Sequence, residues 1–209
     1  MAVFSNFFTD GGFFMYLILI ISVFGIGISI ERAYFLILKN RISGKNLWEK
    51  ISAFVSENKI DEAVAICNQL DAPIAKILKE GLTSGASSPK SIQDVIEEKS
   101  LELIPTIDRR IPYIGMLANV ATLMGLLGTI TGLIQAFQVV GDADPSQKSA
   151  LLAHGISIAM NTTAFGLIVA IPLVISHTYM VSKANRLIEE VDEFSFRLIN
   201  LLSSKRTTG

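Results

Sequence analysis

The sequence predicts an all-α membrane protein with three transmembrane helices, long cytoplasmic helical extensions and a ring-forming oligomeric state. Three observations carry that expectation. Half of the residues are hydrophobic, and the mean hydropathy is +0.49. Residues 111–141 and 150–182 contain no Asp, Glu, Lys or Arg, and neither does the run 11–30; about 20 such residues cross a bilayer. Two of these runs also gather their small residues on one helical face, as close backbone approach requires where no hydrophobic effect drives association. Stripes on two adjacent spans are more than a three-helix protomer obviously buries. Further copies, closed by cyclic symmetry, are therefore expected to cover them.

Residues 1–38 form an N-terminal segment and the first span. MAVFSNFFTDGG lacks the basic n-region of a cleaved signal, so the first apolar run is expected to be retained. Glu31 and Arg32 follow that run, with Arg32 expected to snorkel at the interface. Basic residues follow this span and none precedes it, which puts the N-terminus outside and residue 39 in the cytoplasm.

Residues 39–110 change character, with 11 basic and 11 acidic side chains. Leu47, Trp48, Ile51, Phe54 and Val55 recur at helical spacing, as do Ile60, Ala63, Val64 and Cys67. Pro73 opens a short helix reaching about Leu82, and residues 83–89 read as a loop. Ser91 with Asp94 suggests a capping box for a helix running toward the membrane. Pro105 and Pro112 are expected to bend that helix without ending it. No phosphate loop, metal-ligand cluster or strand pattern occurs, so an enzyme is not expected, nor a cofactor. The net charge of −1 argues against a nucleic-acid partner. A lone cysteine allows no internal disulfide.

The second span, 111–141, places Ala118, Ala121, Thr122, Gly125, Gly128, Thr129, Gly132 and Ala136 on one face. Residues 142–149 form a short outside turn. The third span, 150–182, repeats the pattern with Ala159, Thr163, Gly166 and Ala170, and Pro172 is expected to kink it. The tail, 183–209, carries Leu187, Val191, Phe194, Leu198 and Leu201, a heptad-like seam for packing on another helix.

The polar residues within these spans are the candidate site. Thr122, Thr129 and Thr163 fall on the small-residue faces, and Asn161 lies near the level of Thr163 on another face. Each hydroxyl has two readings: a bond to the carbonyl one turn back in its own helix, or a polar lining for an ion path or a partner's polar group. Asn161-Thr162-Thr163 matches a glycosylation sequon but lies mid-membrane, beyond the reach of a transferase. His154, near the outer end, reads as interfacial, and His177 as an interface residue in preference to a proton carrier. Gly125, Gly128, Gly132 and Gly166, with Ala159 and Ala170, read as helix-packing positions.

GLLGTITGLIQAF (125–137) and GISIAMNTTAFGLIVAIP (155–172) resemble the two signature helices of the MotA/TolQ/ExbB proton-channel family. The three-span layout with Glu31-Arg32 after the first span is similar to the ExbB/TolQ branch. The resemblance implies an inner-membrane ring of five identical subunits around transmembrane helices of an ExbD/TolR-like partner, which supplies a membrane Asp. Proton motive force would then drive mechanical work on an envelope machine, through a TonB-like transducer or motility machinery. It places the ring-lining threonines at Thr129 and Thr163 and implies H+ as the ion, with Na+ left open. Many relatives carry Glu where this chain has Ile158. A non-conducting scaffold is the alternative function, and a transporter subunit a third. A transporter would show broken helices around a midplane site.

Overall fold

A computed structural model describes residues 12–39, 44–84, 89–141 and 143–208. The expectations for residues 1–11 and for most of the 83–89 loop lie outside the described residues. Helix α1 spans Gly12–Ala33 and continues as a π-helical turn over Tyr34–Lys39. Short helices α2 (Gly44–Ser56), α3 (Ile60–Asn68) and α4 (Pro73–Thr83) precede α5 (Pro89–Asp108), α6 (Ile111–Gly141) and α7 (Lys148–Thr208). Among the described residues there is no strand. Three helical stretches are long and apolar enough to cross a membrane: Gly12–Ile37, Lys90–Gly141 and Lys148–Ser204.

The chain divides into two compact units. The first contains the residues of α1 up to Glu31 together with Arg110–Tyr179. Its interior is lined by Met15 and Ile18 of α1, Ile114, Ala118 and Ala121 of α6, and Ala159, Val169, Ala170 and Leu173 of α7. The opposite faces carry exposed Val23, Phe24, Leu123, Ile134, Ile168 and Ile175. That distribution suits a hydrocarbon solvent, in which large apolar side chains cost nothing to expose and small ones decide how closely helices pack.

The second unit holds Arg32–Arg109 and Met180–Gly209. The amphipathic faces of α2–α5 close around the end of α7, burying Leu47, Ile51, Val55, Ile77, Leu78, Ile92, Ile96, Val191, Phe194 and Leu198. Each such aliphatic side chain contributes about 1.5–3 kcal/mol on burial from water. The heptad-like seam of the tail thus packs on helices of its own chain. Trp48 stacks on Phe194 with ring centroids 5.9 Å apart. The α2–α3 corner is a Schellman turn: Asn58 adopts φ 65° while Asn58 N–H donates to Val55 and Lys59 N–H to Phe54.

Several expectations are corrected. α5 begins at Pro89, so Ser91 and Asp94 lie inside the helix and form no N-terminal box. Pro105 is accommodated within α5, but the helix does end, at Asp108, and α6 starts afresh at Ile111 with Arg110 at φ 68° between them. Pro112 explains the restart, since a proline in the first helical turn gives up an N–H that would have no partner anyway. Arg32 does not snorkel. It is 5% exposed, stacks 5.0 Å from the Phe35 ring centroid and donates Nη1–H to the Thr106 carbonyl at 3.3 Å. Thr106 belongs to the last turn of α5, whose carbonyls lack intrahelical partners and so welcome an arginine. In the first unit, Glu31 pairs with Arg110 at 2.9 Å. Both are half exposed, so the pair is worth at most about 1 kcal/mol.

Candidate functional site

The small residues of α6 and α7 meet each other within one protomer, in antiparallel register. A Cβ added at Gly166 would lie 2.8 Å from the Ala121 carbonyl oxygen and 3.1 Å from the Gly125 Cα. One added at Gly125 would lie 3.2 Å from the Thr162 carbonyl oxygen. Further toward the turn between α6 and α7, Gly128 faces the Thr162 side chain, a Cβ added at Gly132 would lie 2.9 Å from the Ala159 Cβ, and Gly155 faces Ala136. The two stripes therefore bury one another. The argument that a single protomer cannot cover both is corrected, and the stripes by themselves call for no second copy.

This close crossing brings Thr129 and Thr163 together. Their hydroxyls are hydrogen-bonded to each other. Thr163 Oγ1 also donates to the Gly125 carbonyl at 2.8 Å, across the helix interface. Thr129 Oγ1 lies 3.2 Å from the same carbonyl, one turn back in its own helix, and 3.3 Å from the Ala159 carbonyl of α7. Both threonines are half-buried. The result is a cluster of four oxygens, two hydroxyl and two carbonyl, contributed by both spans.

The other candidates lie elsewhere. Thr122 is exposed and donates to Ala118 of its own helix at 3.2 Å. Asn161 is half-exposed and, two residues from Thr163, sits on nearly the opposite flank of α7. Its side chain makes no hydrogen bond among the described residues. Ala159 and Ala170 are buried, and α7 runs without interruption through Pro172.

One residue of the crossing escapes a reading by stripe. Thr162, 2% exposed, seats its methyl against Gly128 and fills the helix interface. Its signal is present in the spacing 159, 162, 166, 169, 173, which follows the helical period as well as the series through Thr163 does. Toward the Ile111 end of α6, the His177 ring covers Gly115, where a Cβ would lie 3.1 Å from two ring atoms, and Leu173 packs on Gly25. His154 is exposed near the start of α7. Between those histidines the site holds no group that titrates near neutrality. Among the described residues no three His, Cys, Asp or Glu side chains gather as a metal site.

A membrane-embedded helical hairpin with hydroxyls paired where its small residues cross, and no charged side chain in residues 111–141 and 150–182, is the class of protein that these features define. Residues 69–193 match the MotA/TolQ/ExbB proton channel family, and the chain belongs to it. An ExbB homolog of Methanothermobacter thermautotrophicus is 27% identical over 186 residues, covering 88% of this chain and 65% of the relative. The Tol-Pal system protein TolQ of Haemophilus influenzae is 30% identical over 96 residues, 44% of this chain and 42% of TolQ. This chain thus spans less than two thirds of the length of either relative. The fold is similar to that in the structure of C. jejuni MotAB, with a TM-score of 0.67 at 15% identity over 92% of this chain and 78% of that one.

Proposed function

We propose that the protein is the ring subunit of an inner-membrane motor complex, in which proton flow does mechanical work on an envelope or transport machine. The observation that carries this reading is the Thr129–Thr163 oxygen cluster in spans that contain no carboxylate, lysine or arginine. A proton relay through a membrane needs a group that gains and loses charge. Threonine does not titrate, and His154 and His177 are 23 positions apart on one helix, about 34 Å along its axis. The titrating group is therefore a carboxyl on a separate partner helix, an ExbD/TolR-like single span, held inside a ring of identical subunits. Five subunits is the number that the family resemblance implies. Asn161 supports assembly, because a half-exposed amide in hydrocarbon is costly until another chain or water satisfies it. The ion is H+, the N-terminus faces outside and the tail lies in the cytoplasm.

The test is proton flux in liposomes. The protein alone is expected to pass none. Flux is expected with the partner and is expected to vanish when the partner's membrane carboxyl becomes the amide. Equal flux from this chain alone would refute the division of labour, and no flux from an intact complex would favour the scaffold.

A further inference from the structure

Asn119 lies in α6 about 15 Å along the helix from Thr129, toward the Ile111 end. It is exposed, and its amide makes no hydrogen bond among the described residues. An amide facing hydrocarbon is costly until water or another chain satisfies it. The helical position of Asn119 decides between the two. At about 100° per residue, Gly115, Asn119, Thr122, Leu126 and Thr129 fall within about 80° of one another. Thr129 is the member of that arc that meets Thr163, so Asn119 stands on the side of the crossing where the paired hydroxyls stand. Thr122 is exposed there as well. Asn161, on the far flank of α7, is not on this side. One turn past Asn119, the ring of His177 covers Gly115. From Thr122 to Gly115 the arc is therefore polar or small, and Leu126 alone separates that stretch from the threonine pair. In the other direction the arc is apolar: Leu133, Phe137 and Val140 continue it, with Phe137 62% exposed. Ile156, about two turns from Thr163 on the same side of α7, is exposed and apolar too.

We infer that Asn119 holds water on the path between the threonine pair and the Ile111 end of the spans. The inference rests on the function proposed above and adds a positioning residue to it. An amide offers two N–H donors and a carbonyl acceptor, so Asn119 can give a hydrogen bond to one water molecule and accept one from another. Thr122, one turn nearer the pair, supplies a second anchor. Asn119 does not titrate. Each water in such a chain passes one proton on as it takes another, and the amide keeps the chain in place and oriented. The distance to Thr129 is several hydrogen bonds long, since each spans about 2.8 Å, so the amide acts through water and not by direct contact with the pair. Past Thr129 the arc of α6 has no side chain that could hold a water molecule. Water is thus held on one side of the pair, which gives the path a wet leg toward Ile111 and a dry one toward the α6–α7 turn.

Thiol labelling of the lipid-reconstituted complex tests this, on a Cys67→Ser background and with a small charged methanethiosulfonate. The reagent attacks the thiolate, which forms in water and not in hydrocarbon. Asn119→Cys and Thr122→Cys are expected to react about tenfold faster, or more, than Leu133→Cys on the same arc and than Val120→Cys, which lies at the depth of Asn119 about 100° around the helix. Proton flux is measured with subunit and partner recovery matched to wild type. Asn119→Leu keeps the bulk and removes the amide, and is expected to lower flux about tenfold, as loss of a hydrogen bond to the water chain would. Asn119→Ser, which keeps a donor and an acceptor, is expected to restore most of it. Slow labelling at both 119 and 122 overturns the inference, and so does Leu133→Cys reacting as fast as they do. Unchanged flux in an assembled Asn119→Leu complex overturns it as well, and if that variant does not assemble the labelling rates decide. Flux in the wild type together with slow labelling removes this inference and leaves the motor standing. Fast labelling at 119 and 122 in a wild-type-like complex that passes no protons removes the motor and leaves the water-lined face.

Discussion

Glycine at position 166 does what no other residue could do at that place. Its Cα lies against Gly125, and a methyl group there would press on the Ala121 carbonyl, which belongs to the backbone and cannot swing aside. Gly166→Ala is therefore expected to destabilise the first unit by about 1–3 kcal/mol, the usual cost of overpacking. Gly27 has no neighbour within 4 Å of an added Cβ. Gly27→Ala is expected to be neutral, or stabilising by up to about 1 kcal/mol through helix propensity. Thermal unfolding in one detergent should show the first midpoint falling and the second not. The threonines were legible in sequence as a pair on two small-residue faces. Their bonds to each other and across to Gly125 were not, because the spacing of one helix says nothing about the register of two. Thr122 illustrates the limit: it shares the helical period of the stripe but lies at its edge, exposed, and bonds Ala118 of its own helix. Cys67 is a residue of another kind. Burial pushes its thiol up to about 11, against a slight lowering by Lys79. The neutral thiol is favoured by folding, so this contribution to stability is intact below about pH 9, the ordinary value, and is lost as pH rises toward 11. Native Cys67 is expected to resist alkylation at pH 8 and to react promptly once the protein is unfolded. Rapid modification of the folded protein would show the second unit to be open at this position.

At the scale of elements, the helices of the second unit were readable because water enforces amphipathic spacing. The positions expected in α2, α3 and the tail seam supply Leu47, Ile51, Val55, Ala63, Cys67, Val191, Phe194 and Leu198 to its core. The break between α5 and α6 was less visible, since Pro105 and Pro112 look alike in sequence. One sits inside a helix and the other opens one, and the difference lies in the backbone of Arg110 between them. Arg32 was misjudged for a related reason: no local pattern announces that the Thr106 carbonyl lies within reach. Burial of Cys67 also makes the natural thiol a poor reporter of topology, for it would escape an impermeant reagent on either side of the membrane. Exposed positions serve instead. On a Cys67→Ser background, Ser146→Cys is expected to be labelled in cells with only the outer membrane permeabilised. Lys59→Cys is expected to be labelled only after the inner membrane is opened. The reverse pattern would invert the orientation read from the basic residues.

For the whole molecule, the small-residue stripes explain how the two spans of one protomer hold together, and the proposed assembly would have to use what remains outside. That remainder is a broad apolar face, the half-exposed Asn161 and the half-buried hydroxyls of Thr129 and Thr163. In the function proposed above, the chain contributes the crossing with its paired hydroxyls, and a partner contributes the charge that changes. Replacing both hydroxyls by methyl groups isolates this claim, because valine preserves shape and an interhelical hydrogen bond in a membrane is worth only about 0.6 kcal/mol on average. The decisive measurement is proton flux through the reconstituted complex carrying Thr129→Val and Thr163→Val, with protein level and partner recovery matched to wild type. Flux is expected to fall about tenfold or more, as loss of some 1.4 kcal/mol at the barrier requires, while the complex still assembles. Wild-type flux from the assembled double variant would contradict the assignment of the ion path to this pair.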